Sequence, residues 1–352
     1  MALYNFTKNG NVMNESVPSL QSTVMTAPGF AARLNSFGVD ASRYWPGRND
    51  KPTAFDLAAR AATVPGLTAV DLNFPDHCEG YSGKDVTKRL GDLGLGLSGY
   101  AMRYYSRPEF KLGAFTNPDQ AVRRAAIDLT RRGIDQLAEA GGRLMTLWMG
   151  QDGFDYSFQA DYGALWDATI AAMQELADHN PSIDISIEYK PNEPRSFSLM
   201  PDVATTLLAI KDIGRPNTGV TLDFAHVLYA GEMPAYAAAL VARHSRLLGV
   251  HLNDGYGKRD DGLMVGTVHP IQTLELLYVL DRIGYDGAIY FDTFPDTTGI
   301  DPIRECEANI KTVAALRRAA AKLQGNEGFV QAIQRQDAVG SQSIVREALY
   351  GS

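Results

Sequence analysis

Short apolar runs alternate with longer stretches in which apolar positions return every three or four residues. The runs lie near 34–44, 68–74, 94–102, 144–149, 185–190, 218–223, 247–252 and 287–292. Helical spacing occupies about 52–62, 118–140, 162–179, 201–213, 233–244, 270–283 and 301–323. This rhythm predicts βα units around a parallel sheet, because a strand covered on both faces is apolar throughout. Eight runs favour a closed (β/α)₈ TIM barrel over an open sheet. The barrel is expected to occupy 31–323, with an N-terminal extension over 1–30 and a C-terminal tail over 324–352. The extension is rich in Asn, Ser, Thr and Gly. The amphipathic tail has no place in the ring, so a contact with another subunit is expected, as in a homo-oligomer (dimer or tetramer).

Prolines and glycines punctuate the pattern. Pro75 should stop the second strand and Pro191 the fifth, since proline cannot donate to a ladder. Gly141-Gly142 reads as a helix C-cap. Within the fifth run, Ile185-Ser186-Ile187-Glu188-Tyr189-Lys190-Pro191, alternate residues share a face. Glu188 and Lys190 therefore point one way, and Ile187 and Tyr189 the other.

The last four runs each end in a side chain able to bind a cation: Glu188, Asp223, His251 and Asp292. The carboxyl ends of barrel strands form the active face of this fold. Three carboxylates and an imidazole meeting there would repel without a positive ion. Mixed oxygen and nitrogen donors suit Mn²⁺, Mg²⁺ or Co²⁺ better than a structural zinc. His226 follows Asp223 by three residues, and Asp254, Asp260 and Asp261 follow His251 in a loop. One or two divalent ions per subunit are expected, with Asp223 able to bridge two and Asp261 favoured among the loop acids.

Composition narrows the classes. The chain has 352 residues, 45% hydrophobic and 21% charged, enough for one large core. Its net charge is −8 with no basic run, which argues against a nucleic-acid partner. No apolar stretch approaches the roughly 18 residues of a membrane helix, so no membrane partner is expected. The two cysteines, Cys78 and Cys306, are far apart and fit reduced thiols. The polar start lacks a secretory h-region, and a cytoplasmic location is expected.

Three segments resemble the xylose isomerase family and its sugar-isomerase relatives, the rhamnose isomerases among them. Phe110-Lys111-Leu112-Gly113-Ala114-Phe115-Thr116 resembles the family's third-strand loop. Thr146-Leu147-Trp148-Met149-Gly150-Gln151-Asp152-Gly153 resembles its Trp-Gly-Gly-Arg-Glu-Gly stretch. Ile187-Glu188-Tyr189-Lys190-Pro191-Asn192-Glu193-Pro194-Arg195 is very close to its Ile-Glu-Pro-Lys-Pro-Asn-Glu-Pro-Arg.

The resemblance implies a barrel that interconverts aldoses and ketoses with two divalent metals. It puts Glu188, Asp223, His251 and Asp292 on a structural ion, and His226, bridging Asp223 and loop aspartates on a catalytic one. Lys190 would contact the substrate carbonyl oxygen, and Trp148 would line the sugar pocket. The expected catalytic set is Lys190, Glu188, Asp223 and Asp292. The expected substrate contacts are Trp148, His226, Lys190 and Phe154, with Tyr44 a further apolar wall. The expected metal set is Glu188, Asp223, His226, His251, Asp261 and Asp292. Asp223 and His251 depart from xylose isomerase itself toward the rhamnose isomerases and ketose epimerases. The histidine that isomerases use near the ring oxygen has no clear counterpart, with His77 a candidate.

The leading expectation is a divalent-metal aldose–ketose isomerase with a metal-assisted 1,2-hydrogen shift. Its substrate would be a free sugar, such as a pentose, a deoxyhexose or a branched sugar such as apiose. A ketose 3-epimerase and an inosose dehydratase-type lyase are alternatives on the same barrel. A nuclease for abasic DNA would carry more histidine and a more basic surface, and a non-catalytic sugar binder would not need two metal sites.

Overall fold

A computed structural model describes residues 29–38, 41–48 and 50–351. The expected extension over 1–30 lies outside these, apart from Gly29 and Phe30. Eight parallel strands close a barrel in sequence order: β1 (Phe30–Arg33), β2 (Leu67–Phe74), β3 (Gly96–Met102), β4 (Leu144–Leu147), β5 (Asp184–Glu188), β6 (Thr218–Asp223), β7 (Leu247–Leu252) and β8 (Ile289–Phe291). Ala31 pairs with both Ala69 and Tyr290, which closes the ring.

Side-chain parity follows the pleat. Ile185, Ile187, Val220, Leu222, Val250 and Leu252 point outward and are fully buried beneath the helices. Burial of each contributes roughly 1.5–3 kcal/mol. The intervening residues face the barrel axis, where Ser186 Oγ and Thr221 Oγ1 meet at 2.6 Å. The same parity sends Glu188, Asp223 and His251 inward one layer higher.

Helix starts are fixed by local chemistry. Thr53 and Ser82 form reciprocal capping boxes with Asp56 and Asp85. Asp119, Asp161 and Asp202 cap the helices Gln120–Glu139, Tyr162–His179 and Val203–Ile213. The Gly-Gly stop behaves as expected: Gly141 has φ +74° and the Gly142 N–H reaches back to Leu137 O.

The first strand differs from its expected place. It ends at Arg33, and the apolar residues after it form a tight turn, Leu34–Gly38, and a helical turn, Ala41–Tyr44. Leu34 and Phe37 are buried three residues apart, a spacing that matches a 3₁₀ turn and not a pleat. β5 stops at Glu188, three residues before Pro191, because the Lys190 N–H leaves the ladder for Met200 O.

Two loop contacts shape the mouth. Gly153–Phe154 pairs antiparallel with Phe197–Ser198, tying the loop after β4 to the loop after β5. A Cβ on Gly153 would lie 2.1 Å from Phe197 O, so glycine permits this approach. Buried Asp152 accepts from Phe115 N, Thr116 N and Thr116 Oγ1 at 2.8 Å and from Ala114 N at 3.3 Å.

The C-terminal tail finds a surface on its own chain. Helices Glu327–Gln334 and Ala338–Tyr350 follow Pro302–Gln324, with Phe329 edge-on to Tyr278 and Val345 buried. Among the described residues, no helix is long and apolar enough to cross a membrane.

Candidate functional site

Four consecutive strands deliver the cluster. Glu188 is the last residue of β5, Asp223 the last of β6, His251 lies one residue from the end of β7, and Asp292 follows β8. Asp223 and His251 are direct neighbours in the β6–β7 register. Glu188 is level with Thr221, and its longer side chain carries the carboxylate up to the others. Each residue offers one ligand atom, and these atoms all lie within 4.8 Å of one another. His251 Nδ1 is 3.3 Å from Glu188 Oε1, 3.8 Å from Asp223 Oδ2 and 4.0 Å from Asp292 Oδ2.

These atoms fit a divalent cation. His251 Nδ1 is buried and makes no directed hydrogen bond, although carboxylates surround it. Burial opposes charge on every member. Against burial, Glu188, Asp292 and Asp223 raise His251 to about 9. Burial lifts the Asp223 carboxyl to about 7 despite His226. Burial also raises Asp292, partly offset by His251 and Arg33. For Glu188, His251 and His226 overcome burial and hold the carboxyl below its usual range. The cluster thus retains protons where a cation would sit.

A second constellation adjoins it. Asp223 caps the short helix Phe224–Tyr229 by accepting the His226 N–H at 3.0 Å, and this places the His226 ring at the mouth. His226 Nδ1 lies 3.0 Å from Tyr189 O, and Nε2 lies 3.1 Å from Asp260 Oδ2. Lys190 Nζ contacts the same Asp260 oxygen at 3.1 Å and Glu193 Oε2 at 2.9 Å. Burial lowers the His226 pKa, but Asp223, Asp260 and Glu188 outweigh it and raise the group to about 10. Burial likewise disfavours the Lys190 ammonium, and Asp260 and Glu193 more than restore it. Asp260 is buried yet held well below the usual carboxylate range by His226 and Lys190.

The cavity between these groups measures about 220 Å³. Glu188, Lys190, His226, His251, Asp260, Asp292 and Trp148 are among the residues that line it. Trp148 forms one wall, with Lys190 Nζ 5.2 Å from its ring centroid and Tyr105 packed behind at 5.2 Å.

Other expected residues lie elsewhere. Asp261 is turned into its own loop: Oδ2 accepts from Tyr256 N at 2.8 Å, and Oδ1 pairs with Arg259 at 2.8 Å. Its neighbour Asp260 is the loop acid that reaches the site. Asp254 is fully buried and pins the segment at Val268 and His269. Phe154 does not line the cavity, because the loop ribbon stacks it on Phe197 at 5.3 Å and against Tyr162 at 4.8 Å. His77 is bonded to Asn73 N and Asn35 Oδ1, and Tyr44 to Gly299 O, both away from the cavity wall.

Asn253 was not anticipated. It is fully buried, donates to both Asp223 oxygens at 3.2 and 3.1 Å and to Asp292 O at 3.1 Å, and accepts from Ala225 N. It orients the Asp223 carboxylate, as groups behind metal ligands do, and ties it to the main chain at Asp292. Its signal was its place two residues past His251, on the same face.

The fold and its mouth define a closed α/β barrel whose strand ends gather a cluster that could hold a divalent ion. Residues 55–318 match the family model described as xylose isomerase-like TIM barrel, and the chain belongs to that family. A xylose isomerase of Thermus thermophilus is 30% identical over 211 residues, covering 58% of this chain and 54% of that protein. The chain therefore spans about half the length of that curated relative. Among solved structures, an L-ribulose 3-epimerase superposes with TM-score 0.65 at 18% identity, covering 85% of this chain and 99% of the other. A D-allulose 3-epimerase from Methylomonas sp. gives 0.62 at 16% identity, covering 82% and 96%. A xylose isomerase domain protein from Alicyclobacillus acidocaldarius gives 0.60 at 18%, covering 84% and 100%. At these identities the likeness is one of fold.

Proposed function

We propose that the protein is a divalent-metal-dependent aldose–ketose isomerase acting on a small sugar. The observation that carries this reading is the shared anchor at Asp260. It holds a protonated Lys190 and His226 on one cavity wall, beside the cluster of Glu188, Asp223, His251 and Asp292. These four residues would hold one divalent ion, and His226 with Asp260 could take part in holding a second. Such an ion supplies Lewis acidity, polarising a carbonyl and lowering the pKa of the neighbouring hydroxyl.

The chain's own groups would do the rest. In the aldose-to-ketose direction, hydrogen moves from C2 to C1 with its electron pair and one proton passes from O2 to O1, so that none is gained or lost overall. The Lys190 ammonium, fixed by two carboxylates, would hydrogen-bond to O1 and stabilise the charge that develops there, keeping its own proton. Trp148 would exclude water from one sugar face. Asn253 would keep the Asp223 carboxylate aimed at the centre.

A second reading is ketose 3-epimerase. The inward carboxylates of Glu188 and Asp292 on non-adjacent strands favour it, since epimerisation needs acids on two sides of one carbon. Incubation of Mn²⁺-loaded protein with aldoses and ketoses separates the two. A ketose formed from an aldose supports isomerisation. A C3 epimer formed from a ketose, with no aldose product, replaces it with the second reading.

A further inference from the structure

The barrel mouth divides into two halves. β5 to β8 lead into the cation cluster, whereas β1 ends in Arg33, and Arg103 and Trp148 directly follow β3 and β4. Arg33 and Arg103 both line the cavity. In the closed ring β3 stands opposite β7, so Arg103 faces the strand of His251 across the mouth.

Among the described residues Arg103 makes no ion pair, and Asp71 on the neighbouring strand feels its charge without contacting it. The Arg103 Nε is buried with no hydrogen-bond partner, and its guanidinium packs over the Tyr105 ring at 5.2 Å. Asp71, inward on the neighbouring strand, leaves its own Oδ1 unpartnered. Arg33 differs, with Asp292 Oδ1 at 3.7 Å and Ser36 Oγ at 3.3 Å, so the inference rests on Arg103. A guanidinium at a cavity wall with a buried, unpartnered Nε keeps hydrogen-bond donors that a ligand can satisfy.

Guanidinium is also the side chain best shaped for a planar, two-point grip on carboxylate or phosphate oxygens.

Building on the isomerase reading, we propose that Arg103 is a specificity residue. It binds a carboxylate or phosphate at the end of the substrate remote from the reacting carbons, so the preferred substrates are sugar acids or sugar phosphates.

The test uses Mn²⁺-loaded full-length protein and two matched pairs: glucose with glucuronate, and ribose with ribose 5-phosphate. The anionic member of at least one pair is expected to show kcat/KM at least about tenfold above its neutral partner, the scale of one charge-assisted contact. Arg103→Gln should bring that ratio to within about threefold of unity, and Arg103→Lys should restore part of it. A neutral preference in both pairs, or a ratio that survives Arg103→Gln, overturns the inference and leaves the isomerase reading standing. If no compound is turned over, the isomerase reading fails for these sugars. Calorimetric titration of the same four compounds then decides: tighter anion binding that depends on Arg103 supports the inference, and equal or absent binding overturns it.

Discussion

Filling the strand-end cluster with a divalent ion should expel protons, and the affinity for the ion should climb with pH. A histidine binds metal only when neutral, and His251 is held up to about 9 in the metal-free protein. At pH 7 roughly one molecule in a hundred then has the competent imidazole, so the apparent Kd is weakened about 100-fold relative to pH above 9. Between pH 7 and 9 the affinity should rise about tenfold per pH unit. Below 7 the slope steepens, because Asp223, held up to about 7, must also lose a proton. Stability of the metal-free protein runs the other way. The folded pKa of His251 lies above its ordinary 6.5, so its contribution is fully present below about 6.5 and is lost as pH rises through about 9. Asp223, raised from 3.8 to about 7, has the same sign over its own lower window. The His251 share is on the order of 3 kcal/mol at 1.36 kcal/mol per pH unit. The assay is calorimetric titration with Mn²⁺ at pH 6.5, 7.5 and 8.5, in buffers of different ionisation heat, beside thermal melts of the metal-free protein. A Kd flat across that range, with no buffer-dependent heat, would refute the claim that protons occupy the ion's place.

Lys190→Met keeps the apolar stem and removes the ammonium. It should lower kcat by about 10²–10³, the usual scale for one charge-stabilising donor, with Mn²⁺ affinity at the cluster changed less than about threefold. Turnover within tenfold of wild type would remove Lys190 from the chemistry. Asp260→Ala should lower kcat/KM by at least about 100-fold by releasing both His226 and Lys190, whereas Asp261→Ala, whose carboxylate serves its own loop, should change it less than about threefold. The reverse order would return the role to Asp261. Asp152→Ala should destabilise the fold by about 3–5 kcal/mol, because buried donors at 114–116 lose their acceptor. Urea denaturation reads this directly, and a loss below 1 kcal/mol would show that the loop finds other partners.

The strands were legible because a doubly covered parallel strand must be apolar throughout, which leaves a strong local signal. The cluster was legible for the same reason: a carboxylate that ends such a run is costly unless something binds it. What escaped depended on contacts distant in sequence or on the path of a turn. Asp260 and Asp261 are adjacent and chemically alike. Only the turn decides between them, through Tyr256 N and Arg259 capturing the second. Phe154 read as a pocket wall until its pairing with Phe197, some forty residues away, turned it aside. β1 was displaced because Leu34 and Phe37 extend its apolar character into a turn. Arg103 shares the inward parity of Ala101, so its direction follows from the pleat once the end of β3 is known.

The two constellations are not equivalent as cation sites, and Asp260 shows why. Its Oδ2 accepts from both Lys190 and His226, while its Oδ1 is buried without a partner. A second ion drawn to Oδ1 would not need to release Lys190, whose ammonium keeps Oδ2 and Glu193. It would need the proton on His226 Nε2, which, against burial, Asp223, Asp260 and Glu188 hold well above the usual histidine range, and there a single carboxylate, Asp260, faces that imidazole nitrogen. The strand-end cluster, with three carboxylates around one imidazole, should therefore fill first. The Asp260 side should remain a protonated relay between imidazole and ammonium until a ligand oxygen arrives to share the second ion.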